Sequence, residues 1–516
     1  MENLQLYDER YEDVISDYSL NMNIEKMLQF AQFYHNNDEY IKRYLILLMT
    51  RIAAVRNADL LSLLGDYYDQ GICVKSNEEK ATNLFQKAHK EGSTRAAYDL
   101  GWYYYIKQEF LSAKEYFIEC EKHREKFNCK QLENIYSCLG DIYIEGDKSE
   151  IYKGIQYLTI SAEKYHSAYA FRKLGRLYSD EKNDKYNPEK AVDYYKNAVK
   201  YGDEIAALIL GRAYLLGSDS LKIEANLSCA EQIMLPYENG NNPELLFWIG
   251  RLFTLKENAQ NQWNEAKKFF EKSLEIQTNW LTVSWLGYTC YRLEVYEEAK
   301  KYLELANQNG VDEFSDFLGR IYKEGLCGIK DLYLAEKYYK CAYDKDGLNN
   351  LFLCKEYLEV LLALEKYEEA YMVAEHGENQ YKDIFFVICK NKLIIENKVK
   401  DSITREEAAK TFEAIISLDF SEKTEIRLLL VKYYLEQSNY RKAEGQYLEL
   451  FNEGYADAGV FLGRLYEHGG GSIKANIKVA YEWYEKAKQK GSILAEQELS
   501  CFTVGFWGSI RRVKNL

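Results

Sequence analysis

Arg176, Arg212, Arg251, Arg320 and Arg464 each stand directly after a glycine, and that glycine follows Leu or Ile. A guanidinium is planar and permanently charged, and its fork holds a carboxylate through two parallel N–H bonds. Repeated at one register, such groups form a ladder suited to an acidic segment or a C-terminal carboxylate. The same arginines serve equally to pair with Asp or Glu of an adjacent unit and stiffen the chain. The residue pattern leaves both uses open. Catalytic signatures are missing: there is no GxxxxGK[ST], HExxH, GxSxG or CxxC. Gly469-Gly470-Gly471 lacks the Lys-Ser/Thr of a phosphate loop and reads better as an inter-helix turn. Cys120, His123, Cys129 and Cys138 form the one metal-like cluster, but only Cys120 and His123 have zinc-ligand spacing, and buried thiols on a helix fit as well. The 6 histidines are dispersed, with no nucleophile in a recognisable setting beside them. No catalytic residue, metal or cofactor is assigned.

The elements that position the arginines repeat. Leu64-Gly65 with Tyr68 is followed by Leu100-Gly101 with Tyr104, Leu139-Gly140 with Tyr143, and Leu174-Gly175 with Tyr178. Leu210-Gly211 with Tyr214, Ile249-Gly250 with Phe253, Leu286-Gly287, Leu318-Gly319 with Tyr322 and Leu462-Gly463 with Tyr466 continue the series. Successive glycines up to Gly319 lie 36, 39, 35, 36, 39, 37 and 32 residues apart, by subtraction of their positions. That is the period of a helix–turn–helix unit. The second half of each unit has its own pattern. Ala191, Tyr194, Tyr195 and Ala198 lie at i, i+3, i+4 and i+7, as do Ala335, Tyr338, Tyr339 and Ala342, and Ala480, Trp483, Tyr484 and Ala487. These mark one helix face, on which small residues admit a neighbour and aromatics fill the space beside it. Glycine inside a helix costs about 1 kcal/mol against Ala, so its fixed register points to close packing. Gly71, Gly146, Gly217, Gly325 and Gly469 are expected at left-handed turns after the first helix.

These residues resemble Sel1-like repeats, relatives of tetratricopeptide repeats. The fullest match runs from Leu462-Gly463-Arg464-Leu465-Tyr466 through Gly469, Ala480, Trp483-Tyr484, Ala487, Gly491 and Ala495. The likeness covers roughly 58–343 and 455–500. Tyr296-Glu297-Glu298-Ala299 with Tyr302, and Asn439 to Ala443 with Tyr447, look more like plain tetratricopeptide units. The resemblance implies an all-α, right-handed superhelical solenoid of stacked antiparallel helix pairs whose first helices line a concave surface. It also implies that residues one after, three before and four after the motif glycine face that surface. These include the five arginines, Arg172, Tyr98, Trp102, Tyr105, Phe247, Tyr288 and Tyr291, with inter-repeat packing the competing role for the aromatics.

Composition sets limits. The 516 residues exceed one compact core, which a repeat array does not need. Only 3 prolines suit long helices. The net charge of −14 argues against nucleic acid as the main partner. Residues 1–17 carry no secretory signal, and the longest apolar stretch, Tyr44 to Val55, contains Arg51 and is too short to span a bilayer. The 11 scattered cysteines point to a reducing cytoplasm.

The expected organisation is capping helices over 1–57, Sel1-like or tetratricopeptide-like repeats over 58–343, and degenerate or irregular helical repeats over 344–423. Further repeats follow over 424–500, and a tail or cap over 501–516. The register fades within 345–423, where Tyr367-Glu368-Glu369-Ala370 lacks a Leu-Gly mate and Phe385 to Ile395 is apolar without a clear partner. In the tail, Phe502 to Lys514 combines apolar and basic residues, as a peripheral membrane or partner-docking element would, or as a segment folded back over the last helix. The functional expectation is a non-catalytic scaffold or adaptor holding a peptide or protein, possibly acidic, on the concave face. A ligand-responsive sensor and an enzyme with a site in 345–423 are the alternatives.

Overall fold

The computed structural model describes residues 57–71, 75–146, 148–256, 260–346, 349–400, 403–418, 422–505 and 509–513. The expected capping helices before residue 57 lie outside these residues, as do Phe506, Trp507 and Lys514 of the tail. The chain divides into two units, Met1–Thr278 and Asn279–Leu516.

In the first unit the helices follow one another in pairs. They are α1 (Ala58–Gln70) with α2 (Glu78–Lys90), α3 (Thr94–Ile106) with α4 (Phe110–Lys122), and α5 (Cys129–Glu145) with α6 (Ile151–Thr159). Then come α7 (Ala168–Ser179) with α8 (Pro188–Lys200), α9 (Glu204–Leu216) with α10 (Leu227–Met234), and α11 (Pro243–Leu255) with α12 (Gln260–Ile276). The second unit holds α13 (Trp280–Arg292) with α14 (Tyr296–Gln308), α15 (Ser315–Glu324) with α16 (Leu332–Asp346), and α17 (Leu351–Ala363) with α18 (Tyr367–Tyr381). It continues with α19 (Ile384–Ile395) and α20 (Arg405–Ile415), α21 (Lys423–Glu436) and α22 (Tyr440–Asn452), α23 (Asp457–His468) and α24 (Ile477–Gln489), then α25 (Ile493–Ser500). A two-stranded antiparallel hairpin, β1 (Phe502–Val504) and β2 (Ile510–Arg512), ends it. Each unit is an all-α repeat array with its core between successive helices.

Capping sets the phase of the repeat. Asn57, Ser93, Ser167, Asp203, Asn242 and Asn279 cap first helices, and each side chain accepts from backbone N–H groups of the first turn. In all six the motif glycine comes eight residues after the cap (57 to 65, 93 to 101, 167 to 175, 203 to 211, 242 to 250, 279 to 287). Two turns into the helix, that glycine meets the second helix. A Cβ on Gly101 would lie 2.7 Å from the Phe117 ring, and one on Gly250 would lie 2.6 Å from Phe270. The glycine is therefore the notch into which a large side chain of the second helix drops, an aromatic ring at Gly65, Gly101, Gly175 and Gly250, Met234 at Gly211 and Leu303 at Gly287.

The motif tyrosine also has a backbone role. The N–H of Asn77 bonds to the Tyr68 carbonyl at 2.8 Å, Asn187 to Tyr178 at 2.8 Å, Asn226 to Tyr214 at 2.6 Å, and Asn476 to Tyr466 at 2.7 Å. Each of these asparagines then caps the second helix with its side chain. One residue thus closes the end of the first helix and opens the next. Gly71, Gly217, Gly325 and Gly469 have positive φ, as expected. Gly146 does not: its φ is −83°, and a 3₁₀ turn stands at Lys148–Glu150.

The described residues between 345 and 423 hold the four helices α17 to α20. Asn350 and Asp383 cap α17 and α19 with side-chain bonds, as in the regular repeats. Eight residues on from these caps stand Leu358, fully buried, and Asn391, 3% exposed, where the regular repeats have glycine.

Candidate partner-binding face

The arginines after the motif glycines do not share one environment. In the first unit, Arg176 and Arg212 are exposed. Neither makes an ion pair with a carboxylate among the described residues, and the Arg212 guanidinium lies 4.9 Å over the Trp248 ring. Arg251 is half-buried at the same register of the next repeat. Arg172, one helical turn before Arg176, is tied down: its Nε donates to Asp203 at 2.9 Å, the residue that caps the next first helix. In the second unit, Arg464 donates to Glu498 at 2.9 and 2.6 Å. Arg320 lies 3.9 Å from Glu356 and over the rings of Phe317 and Phe352. The single sequence signal therefore splits into inter-repeat bolts (Arg172, Arg320, Arg464) and outward-facing cations (Arg176, Arg212).

The position after the glycine is acidic earlier in the first unit. Asp66 accepts from Arg95 at 2.5 Å. Asp141, 3% exposed, accepts from Tyr105 at 2.8 Å, from Tyr169, and from Lys173 at 3.1 Å. Burial and this carboxylate push the Tyr105 phenol upward. Along one register, the first unit thus carries the paired carboxylates Asp66 and Asp141 with Trp102 between them, then the exposed Arg176 and Arg212 and the half-buried Arg251.

The aromatic candidates divide as well. Tyr98, Trp102 and Tyr105 are half-buried and packed on one another, with Trp102 edge-on to Tyr98 at 6.5 Å and to Tyr105 at 5.7 Å. Asn134 of the next repeat donates to the Tyr98 hydroxyl at 3.0 Å. Phe247 is 6% exposed and sits against Trp248 and Phe270 inside the array. In the second unit Tyr288 stacks on Phe314 at 4.5 Å, and Tyr291 meets Phe317 edge-on at 4.9 Å. Both keep part of their rings at the surface.

The cysteine–histidine cluster does not converge on a ligand sphere. Cys120 and Cys138 are buried, Cys129 and His123 are exposed, and burial pushes the Cys120 thiol up to about 12. Among the described residues no three His, Cys, Asp or Glu side chains stand together as metal ligands. None of their helices is long and apolar enough to cross a membrane. The described part of the tail packs back on the array: Phe502 is 9% exposed against Tyr481 and Tyr484, and Arg512 pairs with Glu467 and with Glu498.

Sequence inspection did not single out the inter-repeat bolts from lysine. Lys355 reaches Asp383 at 2.6 Å, a first-helix residue paired with the next cap as Arg172 is with Asp203. The signal was available: both cations stand five residues after their own cap, Ser167 or Asn350.

Tandem helix pairs, a glycine notch two turns into the first helix and bolts between successive repeats define an all-α repeat solenoid. The Sel1 repeat model matches residues 58–93, 168–203, 288–311, 317–347 and 456–492. The chain carries Sel1 repeats at these five places. Its fold is similar to that of a protective antigen present in uropathogenic Escherichia coli strains displaying an SLR fold, at 18% identity and a TM-score of 0.55 over 93% of this chain and 89% of that one. A Sel1 repeat protein from Oxalobacter formigenes matches at 18% identity and a TM-score of 0.33, over 74% of this chain and 89% of that one. No curated protein matches the sequence.

Proposed function

We propose that this protein is a non-catalytic scaffold that holds a peptide or partner protein on the concave, first-helix face of its repeats. In the first unit the grip is an acidic segment of the partner on Arg176 and Arg212, with Arg251 continuing the stripe. One observation carries this. Arg176 and Arg212 occupy the same register in consecutive repeats and face solvent without an acidic partner among the described residues, whereas Arg172, Arg320 and Arg464 are each engaged by a carboxylate. An exposed guanidinium retains its fork for a ligand, while one already paired does not. A cytoplasmic location accords with the cysteine pattern.

Affinity capture from a lysate of the source organism, read by mass spectrometry, tests this. The wild type runs beside Arg176→Ala/Arg212→Ala and, as a control at a paired arginine, Arg464→Ala, each first checked for folding by circular dichroism. A partner kept by wild type and Arg464→Ala but lost by the double variant supports the grip. Equal capture by all three removes it.

A further inference from the structure

Helix α19 is apolar on more than one side. Its sequence, IFFVICKNKLII, turns Phe386, Leu393, Ile394 and Ile395 into the interior, each no more than 4% exposed. Ile384, Phe385 and Ile388 are left half-buried on the first-helix face. An ordinary surface helix buries one apolar stripe and turns polar residues outward. Here a second apolar stripe remains where polar residues are expected.

That stripe does not stand alone. Leu362 from α17 and Ile426 and Leu429 from α21 join Phe385 and Ile388 in flooring a groove of about 670 Å³. The size lies within the roughly 300–1,000 Å³ of ordinary ligand pockets, whose walls are mainly apolar with a few placed charges. Cys389 adds a neutral thiol to the wall, since burial pushes it up to about 12.

The rim supplies the charge. Lys355 is held by Asp383 at 2.6 Å and Lys392 by Glu425, so two cations and two carboxylates cancel. The carboxylates of Glu396 and Glu422 also line the groove and make no hydrogen bond or ion pair with any described side chain. The groove therefore presents an apolar floor with two unengaged carboxylates, the reverse of the charge offered by Arg176 and Arg212.

We propose that this groove seats an apolar side chain of a peptide segment whose flanking residues are Lys or Arg. The floor takes the apolar anchor, and the flanking cations meet Glu396 and Glu422. Such a site follows the usual anatomy of a recognition surface, a desolvated anchor pocket ringed by polar contacts. It shares with the scaffold proposal only the premise of a protein partner, and it uses a different unit and the opposite charge.

The test is selection of a phage library of random short peptides on the full chain, followed by fluorescence-polarisation titration of the enriched sequences. Enriched peptides should carry Leu, Ile, Phe or Met beside Lys or Arg. Ile388→Ser should weaken them by about tenfold or more. Glu396→Lys/Glu422→Lys should move the preferred flanks from basic to acidic. Arg176→Ala/Arg212→Ala should leave these affinities unchanged, which separates this groove from the first-unit grip. Failure to enrich any peptide overturns the proposal, as do acidic flanks on wild type or binding indifferent to both groove variants. Two other occupants would also overturn it. One is a concentration-dependent dimer in sedimentation velocity that Ile388→Ser abolishes, which gives the groove to a second copy. The other is saturable binding of a fluorescent fatty acid lost in Ile388→Ser without peptide enrichment. Circular dichroism checks each variant, and should Ile388→Ser not fold, the charge-reversal pair alone decides, because it touches only the rim.

Discussion

The regular repeats and the stretch from α17 to α21 solve the same packing problem in opposite ways. In a regular pair such as α11 and α12, the notch is in the first helix: Gly250 admits Phe270 of the second. In the other stretch the first helices carry Leu358 and Asn391 at that place, and the notch moves to a second helix. Gly377 of α18 is that notch, with a would-be Cβ 2.5 Å from Phe386 of the following helix α19. The tightest approach has passed from within a pair to between pairs. The groove is lined by Phe385 and Ile388 of the same helix, and not by Gly377 or Phe386. A small residue in a helix thus decides which neighbour comes close.

The sharpest way to break this comparison is to give α17 the regular notch. Leu358 is fully buried, and Leu358→Gly opens a cavity and adds a flexible residue to the helix. The expected loss is about 3–5 kcal/mol, read as a lowered denaturation midpoint of the second unit's transition. A loss under about 1 kcal/mol would mean that the position tolerates glycine as the regular repeats do. Conversely, Gly250→Ala should destabilise the first unit by about 1–3 kcal/mol even though Ala is the better helix former, because Phe270 has to move. Adding Phe270→Leu should recover part of that loss. An unchanged melting temperature for the single variant would refute the notch.

In the regular repeat of α15 and α16, pH should report on Asp316. Burial, opposed by backbone hydrogen bonds and Arg320 and assisted by Glu356, raises its carboxyl from 3.8 to about 6. A carboxyl with a raised folded value binds its proton more tightly in the folded state, so its contribution to stability falls as pH rises from about 4 to about 6. Asp316→Asn should remove that fall and be more stable than wild type at pH 7 by about 1–3 kcal/mol. Parallel pH–stability curves for the two proteins would contradict it. The smallest effect is expected at Arg464, whose pair with Glu498 is open to solvent on the arginine side. Arg464→Ala should cost about 0–1 kcal/mol in chemical denaturation. A larger loss would place this bolt among the main supports of the last repeats.

The periodic Leu-Gly pairs and the Ala-Tyr faces were enough to declare helix pairs and their period, because both follow from local geometry: a 3.6-residue turn and a glycine that recurs at one height. The caps were not read from the sequence, although Asn, Ser or Asp eight residues before six of the glycines is a local signal. The identity of a bolt has no such signal. Arg464 and Arg212 stand in the same Leu-Gly-Arg context, yet one meets Glu498 and the other the face of Trp248. Which of the two happens depends on a residue about one repeat away in the sequence and on the distance between repeats. The groove belongs to that second class as well. Phe385 to Ile395 announced an apolar run without a mate, but only the packing of the neighbouring helices decided that Phe386, Leu393, Ile394 and Ile395 are buried while Phe385 and Ile388 stay partly open. The sequence alone determined the helix pairs of the regular repeats, their order and their phase, because those are set by interactions within a turn or two of helix. Tertiary structure decided which cations are spent on neighbours and where the array leaves a surface free, because those depend on contacts between residues a full repeat apart.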